Sequence, residues 1–172
     1  PDIAVQWARH MPAAFHCRAS ATARRYAYVL LQSPVRPSVE AGRVGWVYHP
    51  LDEAAMREAA AVLLGEHDFS SFRAAACQAL SPVKTLTQLD IQRRSKRPGS
   101  DTCYWRFEFI MGCLVAVGKG DKPASWMAEV LAARRRDAAA PTHAPDGLYF
   151  LGPVYPPHWG LPDHTAAYDW IP

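Results

Sequence analysis

A strand-like run that directly follows a cation-rich segment constrains this chain more than any other feature. Residues 26–31 alternate tyrosines with small or apolar side chains, a pattern typical of a β-strand. The alternation puts Tyr26 and Tyr28 on one face, with Arg24 and Arg25 at the mouth of the strand. Aromatic rings beside guanidinium groups suit a nucleobase and its phosphates. The alternative interpretation is two half-buried tyrosines beside a solvated basic turn.

Hydrophobic periodicity divides the rest of the chain into short strands and helices. Strands are predicted over residues 3–8, 44–48, 83–94, 103–110 and 147–155. One helix is predicted to begin at Asp52 and to be ended by Gly65, and a second to cover residues 124–136. Residues 66–73 suggest a single helical turn. The predicted fold class is α+β, a mostly antiparallel sheet with flanking helices, because hairpins are more evident than βαβ units.

Composition predicts a folded, mildly basic chain. Its 172 residues are 49% hydrophobic and 20% charged, which excludes a disordered protein and suits a single domain over residues 1–172. The net charge of +3 permits nucleic-acid binding without requiring it. The four cysteines have no CxxC spacing, so reduced thiols and a cytoplasmic location are expected. No membrane span is predicted, and the scattered histidines predict no metal site.

Positive charges gather in three clusters along the sequence. The first is the pair Arg24 and Arg25. The second, residues 93–97, lies in the predicted hairpin at residues 83–110 and is either a solvated turn or an additional RNA contact. The third, residues 134–136, falls at the end of a predicted helix, where it complements the helix dipole or contacts RNA. Each of the three clusters therefore also has a purely structural interpretation.

Four ordered motifs resemble the C-terminal part of the tRNA pseudouridine synthase A family. They are residues 1–5 (Pro-Asp-Ile-Ala-Val), residues 15–28, residues 66–73 (Glu-His-Asp-Phe-Ser-Ser-Phe-Arg) and residues 146–150 (Asp-Gly-Leu-Tyr-Phe). The resemblance implies a pseudouridine synthase fold and a cofactor-free isomerase that converts uridine to pseudouridine in the tRNA anticodon stem-loop. It also implies a homodimer in which each tRNA touches both subunits.

The same resemblance assigns roles to individual residues. Tyr26 matches the family's active-site tyrosine, which packs on the uracil and helps to remove the C5 proton. Leu148 matches an apolar wall for the same base, although an ordinary inward-facing strand residue is the alternative. Arg24 and Arg25 are expected to meet phosphate, a positioning role without sequence readout. Asp68 is expected to cap backbone amides rather than to carry out acid–base chemistry.

Two departures from the family pattern limit what this chain is expected to do alone. The family's nucleophilic aspartate lies in a Gly-Arg-Thr-Asp-Ala-Gly loop, and no such motif occurs in these residues. A segment of the type Phe-Leu-His-x-Met-Val-Arg is also missing, and the stub at residues 112–117 is too short for a stable helix unaided. Because the chain also starts at Pro1, we expect a fragment that carries no catalytic residue and is inactive alone. The alternative function is a catalytically empty RNA-binding or dimerisation module.

Overall fold

A computed structural model of the chain describes residue 5 and residues 7–73, 81–95, 101–108, 111–141 and 143–162. Contacts between residues divide the chain into two compact units. The first comprises Pro1–Arg25 and Leu151–Trp170, and the second comprises Tyr26–Phe150 and Ile171–Pro172. The single domain over residues 1–172 stays a prediction.

Seven strands and three helices lie along the described residues. The strands are β1 (Ala23–Gln32), β2 (Gly45–Val47), β3 (Gly65–Asp68), β4 (Val83–Leu86), β5 (Ile91–Ser95), β6 (Cys103–Phe107) and β7 (Leu148–Val154). The helices are α1 (Glu53–Ala61), α2 (Met111–Gly118) and α3 (Trp126–Ala133). None of these helices is long and apolar enough to cross a membrane.

The main sheet has the strand order β2-β1-β6-β5, and β7 also pairs with β1. Strands β5 and β6 are antiparallel, as predicted, with Arg93 opposite Trp105. Strand β6 is antiparallel to β1, with Trp105 opposite Leu30. Only β2 among these registered pairs runs parallel to its neighbour, with Trp46 opposite Leu31 of β1. The predicted α+β class with a mostly antiparallel sheet is confirmed.

One face of this sheet forms the core. Strands send alternate side chains to opposite faces, and on β1 and β6 the core set includes Leu30, Trp105 and Phe107, each almost fully buried. Helices α1 and α3 pack in the same cluster through Met56 and Met127. Burying side chains of this size stabilises the fold by roughly 1.5–3 kcal/mol each.

Gln32 ties the end of β1 into this core. Its Oε1 atom accepts hydrogen bonds from the backbone N–H of Leu51 and from Nε1 of Trp105, both at 3.0 Å. Its Nε2 atom donates to the carbonyl of Asp101 at 3.1 Å. A buried amide with its donors and acceptors satisfied fixes the position of three separate segments.

The first predicted helix is confirmed, but it ends before the predicted residue. Asp52 is its N-cap, and Oδ1 of that residue accepts a hydrogen bond from the Ala55 N–H at 3.0 Å. The helix ends at Ala61. Gly65, with a φ of +99°, instead begins β3, so the prediction that it closes the helix is wrong.

The two later helices also differ from expectation. The stub predicted to be too short forms α2, because packing against α1 buries Leu114 and Val117. Helix α3 ends at Ala133, since Arg134 adopts a left-handed conformation with a φ of 51°. The third basic cluster therefore begins at the C-cap and lies beyond the last helical turn, and its interaction with the helix dipole stays a prediction. The Nε atom of Arg134 lies 3.7 Å from Oδ2 of Asp68.

The single strand predicted over residues 83–94 is two strands. Strand β4 pairs with β3 in a separate two-stranded sheet, whereas β5 joins the main sheet. Residues 66–73 start in β3, and only Ser70–Phe72 form the predicted helical turn. Of the strand predicted at residues 3–8, residues 3, 4 and 6 are outside the described residues, and Val5 and Trp7 are not in a strand. Residues 96–100 of the predicted turn and 109–110 of the predicted strand also lie outside the described residues.

Candidate functional site

Tyr26 lies half-buried on β1, within the second compact unit. Its ring centroid is 5.1 Å from that of Phe150, with an angle of 46° between the ring planes. Phe150 is 56% exposed. Tyr26 is therefore part of an aromatic pair that reaches the surface of its unit and is not sealed in the core.

Leu148 lies on β7 and is 56% exposed. Leu148 and Phe150 are two residues apart in the strand, so their side chains share a face. The interpretation of Leu148 as an ordinary inward-facing strand residue is wrong. Tyr26, Leu148 and Phe150 are called the Tyr26 patch below. Phe150 was missed as a site residue, although its spacing from Leu148 could have indicated it.

The opposite side of β7 is held by close backbone packing. A Cβ atom at Gly147 would lie 2.2 Å from the carbonyl oxygen of Val29 and 2.8 Å from the backbone nitrogen of Gly45, so only glycine fits there. The hydroxyl of Tyr149 donates to the carbonyl of Arg43 at 2.5 Å. These two anchors point Leu148 away from the packed side of the strand. The Asp-Gly-Leu-Tyr-Phe motif thus combines an anchored side with an exposed apolar side.

Tyr28 shares the face of Tyr26 but belongs to the core, with 7% of its surface exposed. Its hydroxyl donates to the Ala144 carbonyl at 2.5 Å and lies 3.3 Å from Nδ1 of His143. Burial raises the pKa of Tyr28 to about 12. Burial of His143, together with the charge of Lys119, lowers the pKa of His143. Tyr28 therefore supports the fold, and Tyr26 is the more exposed of the two tyrosines.

Arg24 and Arg25 belong to the first compact unit and lie inside β1, which begins at Ala23. The prediction that they precede the strand is wrong, because pairing continues to Thr22, whose N–H donates to the Val154 carbonyl at 2.9 Å. Neighbouring strand residues point to opposite faces, so the two guanidinium groups do not form one cluster at the strand's mouth. Arg24 is exposed and donates from Nη2 to the carbonyl of Arg18 at 2.9 Å.

The segment before these arginines is an ordered turn. The Nδ1 atom of His16 accepts the N–H groups of Arg18 and Ala19, each at 3.2 Å. The ring of Phe15 lies 5.2 Å from that of Tyr155, centroid to centroid. The hydroxyl of Tyr155 donates to the Cys17 carbonyl at 2.8 Å. The first unit thus holds the segment between Phe15 and Arg24 in a defined shape.

The carboxylates and possible metal ligands add no second chemistry to this site. Oδ1 of Asp68 accepts from the N–H and the hydroxyl of Ser70 at 2.9 and 2.6 Å, and these bonds lower the pKa of Asp68. Asp68 is confirmed as a backbone cap. Among the described residues, no three His, Cys, Asp or Glu side chains are grouped so that they could hold a metal ion.

Comparison with known proteins identifies relatives over the whole chain. A family model described as tRNA pseudouridine synthase matches residues 59–156. A protein of Paracidovorax citrulli is 68% identical over all of this chain and 70% of its own length. Proteins of Polaromonas naphthalenivorans and Delftia acidovorans are 66% and 63% identical, over 99% and 100% of this chain and 68% and 71% of their own lengths. All three are named tRNA pseudouridine synthase A.

The alignment also shows a difference in length between this chain and a relative. The region aligned with the Paracidovorax citrulli protein is 195 residues long, more than the chain itself. That relative therefore has residues inside the aligned region that this chain lacks. The absence of the Phe-Leu-His-x-Met-Val-Arg segment as the cause of this difference stays a prediction. Identity of this level over more than two thirds of each relative, together with the family match, shows that the chain belongs to the tRNA pseudouridine synthase family.

Proposed function

We propose that this chain holds the target uridine during pseudouridine formation in the anticodon arm of tRNA. Membership of the family supports the reaction class, because the relatives are named for it. The observation that carries the proposal is the Tyr26 patch, in which three apolar side chains are half-buried or exposed rather than enclosed in the core. A base taken out of the helix stack needs such a surface to replace the stacking that it loses.

The reaction rearranges one nucleoside and consumes nothing. The bond from C1′ to N1 of uracil breaks, the base turns, and a bond from C1′ to C5 forms. C5 then gives up its proton, and N1 gains one, so atoms balance without an oxidant, a reductant or a cofactor. In this proposal the ring of Tyr26 lies against the uracil, and its hydroxyl is the group nearest the C5 proton. Leu148 and Phe150 provide apolar contact around the same base.

Arg24 and Arg25 have a separate part in the proposal. Both are cations on a strand end, and Arg24 is exposed. We assign them to backbone phosphates, where they would hold the tRNA without reading its sequence. The homodimer and the cytoplasmic location belong to the same proposal, and free, buried Cys103 and Cys113 are consistent with a reducing compartment.

Binding of an anticodon-arm RNA tests the role of the Tyr26 patch in the chain as it stands. We expect Tyr26→Ala to weaken binding by about 5- to 150-fold, because stacking on one base contributes about 1–3 kcal/mol. Tyr26→Phe keeps the ring and should bind nearly as well as the native chain. Fluorescence anisotropy with a labelled RNA hairpin measures both.

A matched pair of leucines provides the control. Leu148→Ala should weaken binding, whereas Leu64→Ala, which removes a leucine that is 44% exposed between α1 and β3, should not. Equal affinities for the Leu148 and Leu64 variants would contradict the proposed contact. In an enzyme that also carries the family's aspartate loop, Tyr26→Phe should lose most turnover while keeping substrate binding, as measured by tritium release from C5-labelled uridine.

A second function is supported by the missing aspartate motif. Without that carboxylate, the same surfaces could make a catalytically empty RNA-binding or dimerisation module. Because the chain is expected to be inactive alone, assaying tritium release from tRNA by an enzyme that also carries the family's aspartate loop distinguishes the two. Release points to the enzyme, whereas binding without release points to the module, and sedimentation at several concentrations tests the homodimer.

A further inference from the structure

We propose that a second surface of this chain binds unpaired nucleobases of RNA by stacking. Arg36, Trp46, Tyr48 and His49, called the aromatic strip below, form this surface within the second compact unit. The proposal rests on the RNA-binding part of the proposed function, and it adds a surface that the family motifs do not include.

Four flat groups follow one another along the strip. The Cζ atom of Arg36 lies 4.7 Å from the centroid of the Trp46 ring, within cation–π range. The rings of Trp46 and Tyr48 are 6.0 Å apart, with 36° between their planes. The rings of Tyr48 and His49 are 3.8 Å apart, with 38° between their planes. Successive bases stack on series of this kind without regard to sequence, because every base has a π-face.

The strip is held in place by the sheet. Trp46 lies in β2, opposite Leu31 of β1, and its Nε1 atom donates to the carbonyl of Ser33 at 3.0 Å. The Trp46 ring therefore has one fixed orientation and loses little conformational freedom when a base stacks on it. Leu31, the partner of Trp46, is five positions from Tyr26, or about 17 Å along β1 at 3.3–3.4 Å per residue. Because this number is odd, Trp46 and Tyr26 lie on opposite faces of the sheet.

Tyr48 is more exposed than its size explains. It is 57% exposed, and Val35 and Val39, on the segment of chain that leads from β1 to β2, are also exposed. A large exposed aromatic ring that continues a series of neighbouring rings favours a surface that meets a partner. Tyr48 and Arg36 together provide an apolar face and a charge.

Charge favours RNA over a second copy of the chain as that partner. Between Ser33 and His49 the cations are Arg36 and Arg43, and the one carboxylate is Glu40. Glu40 accepts a hydrogen bond from the Tyr104 hydroxyl at 2.6 Å, so its charge is directed to the protein. A two-fold contact would bring the same cations of both copies together, whereas phosphates neutralise them.

A cavity next to the strip offers polar groups to the edge of a stacked base. Its volume is about 530 Å³, and Arg36 and Trp46 line it from the strip. His143 and Asp146 line it from the segment before β7. Asp146 provides an acceptor for base N–H groups, and Arg36 provides donors for base carbonyls. A nucleotide stacked on Trp46 therefore has partners for both its face and its edge.

The test measures binding of a labelled twelve-nucleotide oligouridylate and of an unmodified tRNA transcript to the full chain. We expect Tyr48→Ala to weaken binding of both probes by about 5- to 150-fold, and Tyr48→Phe to stay within about twofold of the native chain. Arg36→Gln should weaken binding and lower the slope of log K against log salt by about one. Leu64→Ala and Lys84→Gln are matched apolar and charge controls on exposed residues and should change nothing.

The outcomes separate this proposal from the proposed function. If Tyr26→Ala weakens binding but Tyr48→Ala does not, the aromatic strip is refuted and the Tyr26 patch stands. If the native chain binds neither probe at low salt, both proposals are refuted. If Tyr48→Ala instead shifts the sedimentation coefficient while RNA affinity stays unchanged, the strip is an interface between copies, and the inference is overturned.

Discussion

Tyr26 and Tyr28 lie two residues apart on the same face of β1 and have opposite surroundings. Tyr28 is enclosed by the turn before β7, bonded to the Ala144 carbonyl, and part of the core. Tyr26 is half-buried and packs on Phe150, which is itself exposed. The same residue type thus supports the fold at one position and remains accessible to a ligand at the next position on that face.

The difference between the two tyrosines comes from what covers them. Two glycines, Gly45 and Gly147, lie against the Tyr28 ring, and a Cβ atom at either would come within 2.7 Å of that side chain. Alternation along a strand fixes the face of each side chain but not its depth. How deeply a side chain is buried depends on residues far away in the sequence. The predictions below test this contrast. They begin with residues in the buried C-terminal part of β1 and finish with the exposed Phe150 beside Tyr26.

The largest effect on stability is expected at Gln32, the last residue of β1, in the buried part of the strand. Gln32→Leu removes the acceptor of two buried donors, the Leu51 N–H and the Trp105 indole N–H. Each buried donor left without a partner costs about 1–3 kcal/mol, so we expect the free energy of unfolding to fall by roughly 2–5 kcal/mol. Urea denaturation measures this fall in the free energy of unfolding.

The matched control for Gln32 is Gln92 on β5. Gln92 is exposed, and its Nε2 atom donates to Oδ2 of Asp90 at 2.7 Å. Gln92→Leu should change the free energy of unfolding by less than about 0.5 kcal/mol. Similar losses for the two variants would contradict the enclosed position of Gln32.

An intermediate effect is expected at Tyr28, and it depends on pH. The raised pKa of about 12 means that the folded chain keeps the Tyr28 proton at a pH where the unfolded chain, with a pKa near 10, has lost it. This contribution is fully present below pH 10 and is lost as the pH rises towards 12. It falls by up to about 1.4 kcal/mol per pH unit in that window.

Tyr28→Phe isolates this contribution. At neutral pH the variant should lose about 1 kcal/mol, because the bond to the Ala144 carbonyl is gone. Between pH 10 and 12 its stability should fall less steeply than that of the native chain. Urea denaturation at pH 8, 10, 11 and 12 measures both effects, and parallel curves for the two proteins would count against a buried hydroxyl.

Local patterns in the sequence predicted the elements whose partners lie nearby. Alternation at residues 26–31 located β1, and the N-cap Asp52 located the start of α1. The antiparallel pairing of β5 and β6 followed from the polar segment between them. The family motifs predicted Tyr26 and Leu148 as site residues. Tyr26 is half-buried and Leu148 is exposed, and their roles stay predictions.

Long-range contacts decided what the sequence could not predict. Residues 83–94 have one continuous pattern, yet β4 joins β3 and β5 joins β6, because the two halves meet different partners. Helix α2 is stabilised by packing against α1. The length and composition of α2 alone do not predict this packing. Phe150 was missed for the same reason, since its importance comes from Tyr26 on another strand.

The smallest effect on stability is expected at Phe150, which packs on Tyr26 and is exposed. Because the ring is 56% exposed, Phe150→Ala should lower the free energy of unfolding by less than about 1 kcal/mol. The buried Phe69, truncated in the same way, should cost about 3–5 kcal/mol. Affinity for the anticodon-arm RNA should show the reverse order, because only Phe150 supports the ring on which the base is proposed to lie. Equal losses of stability in the two variants would mean that the Tyr26 patch serves the fold rather than a ligand.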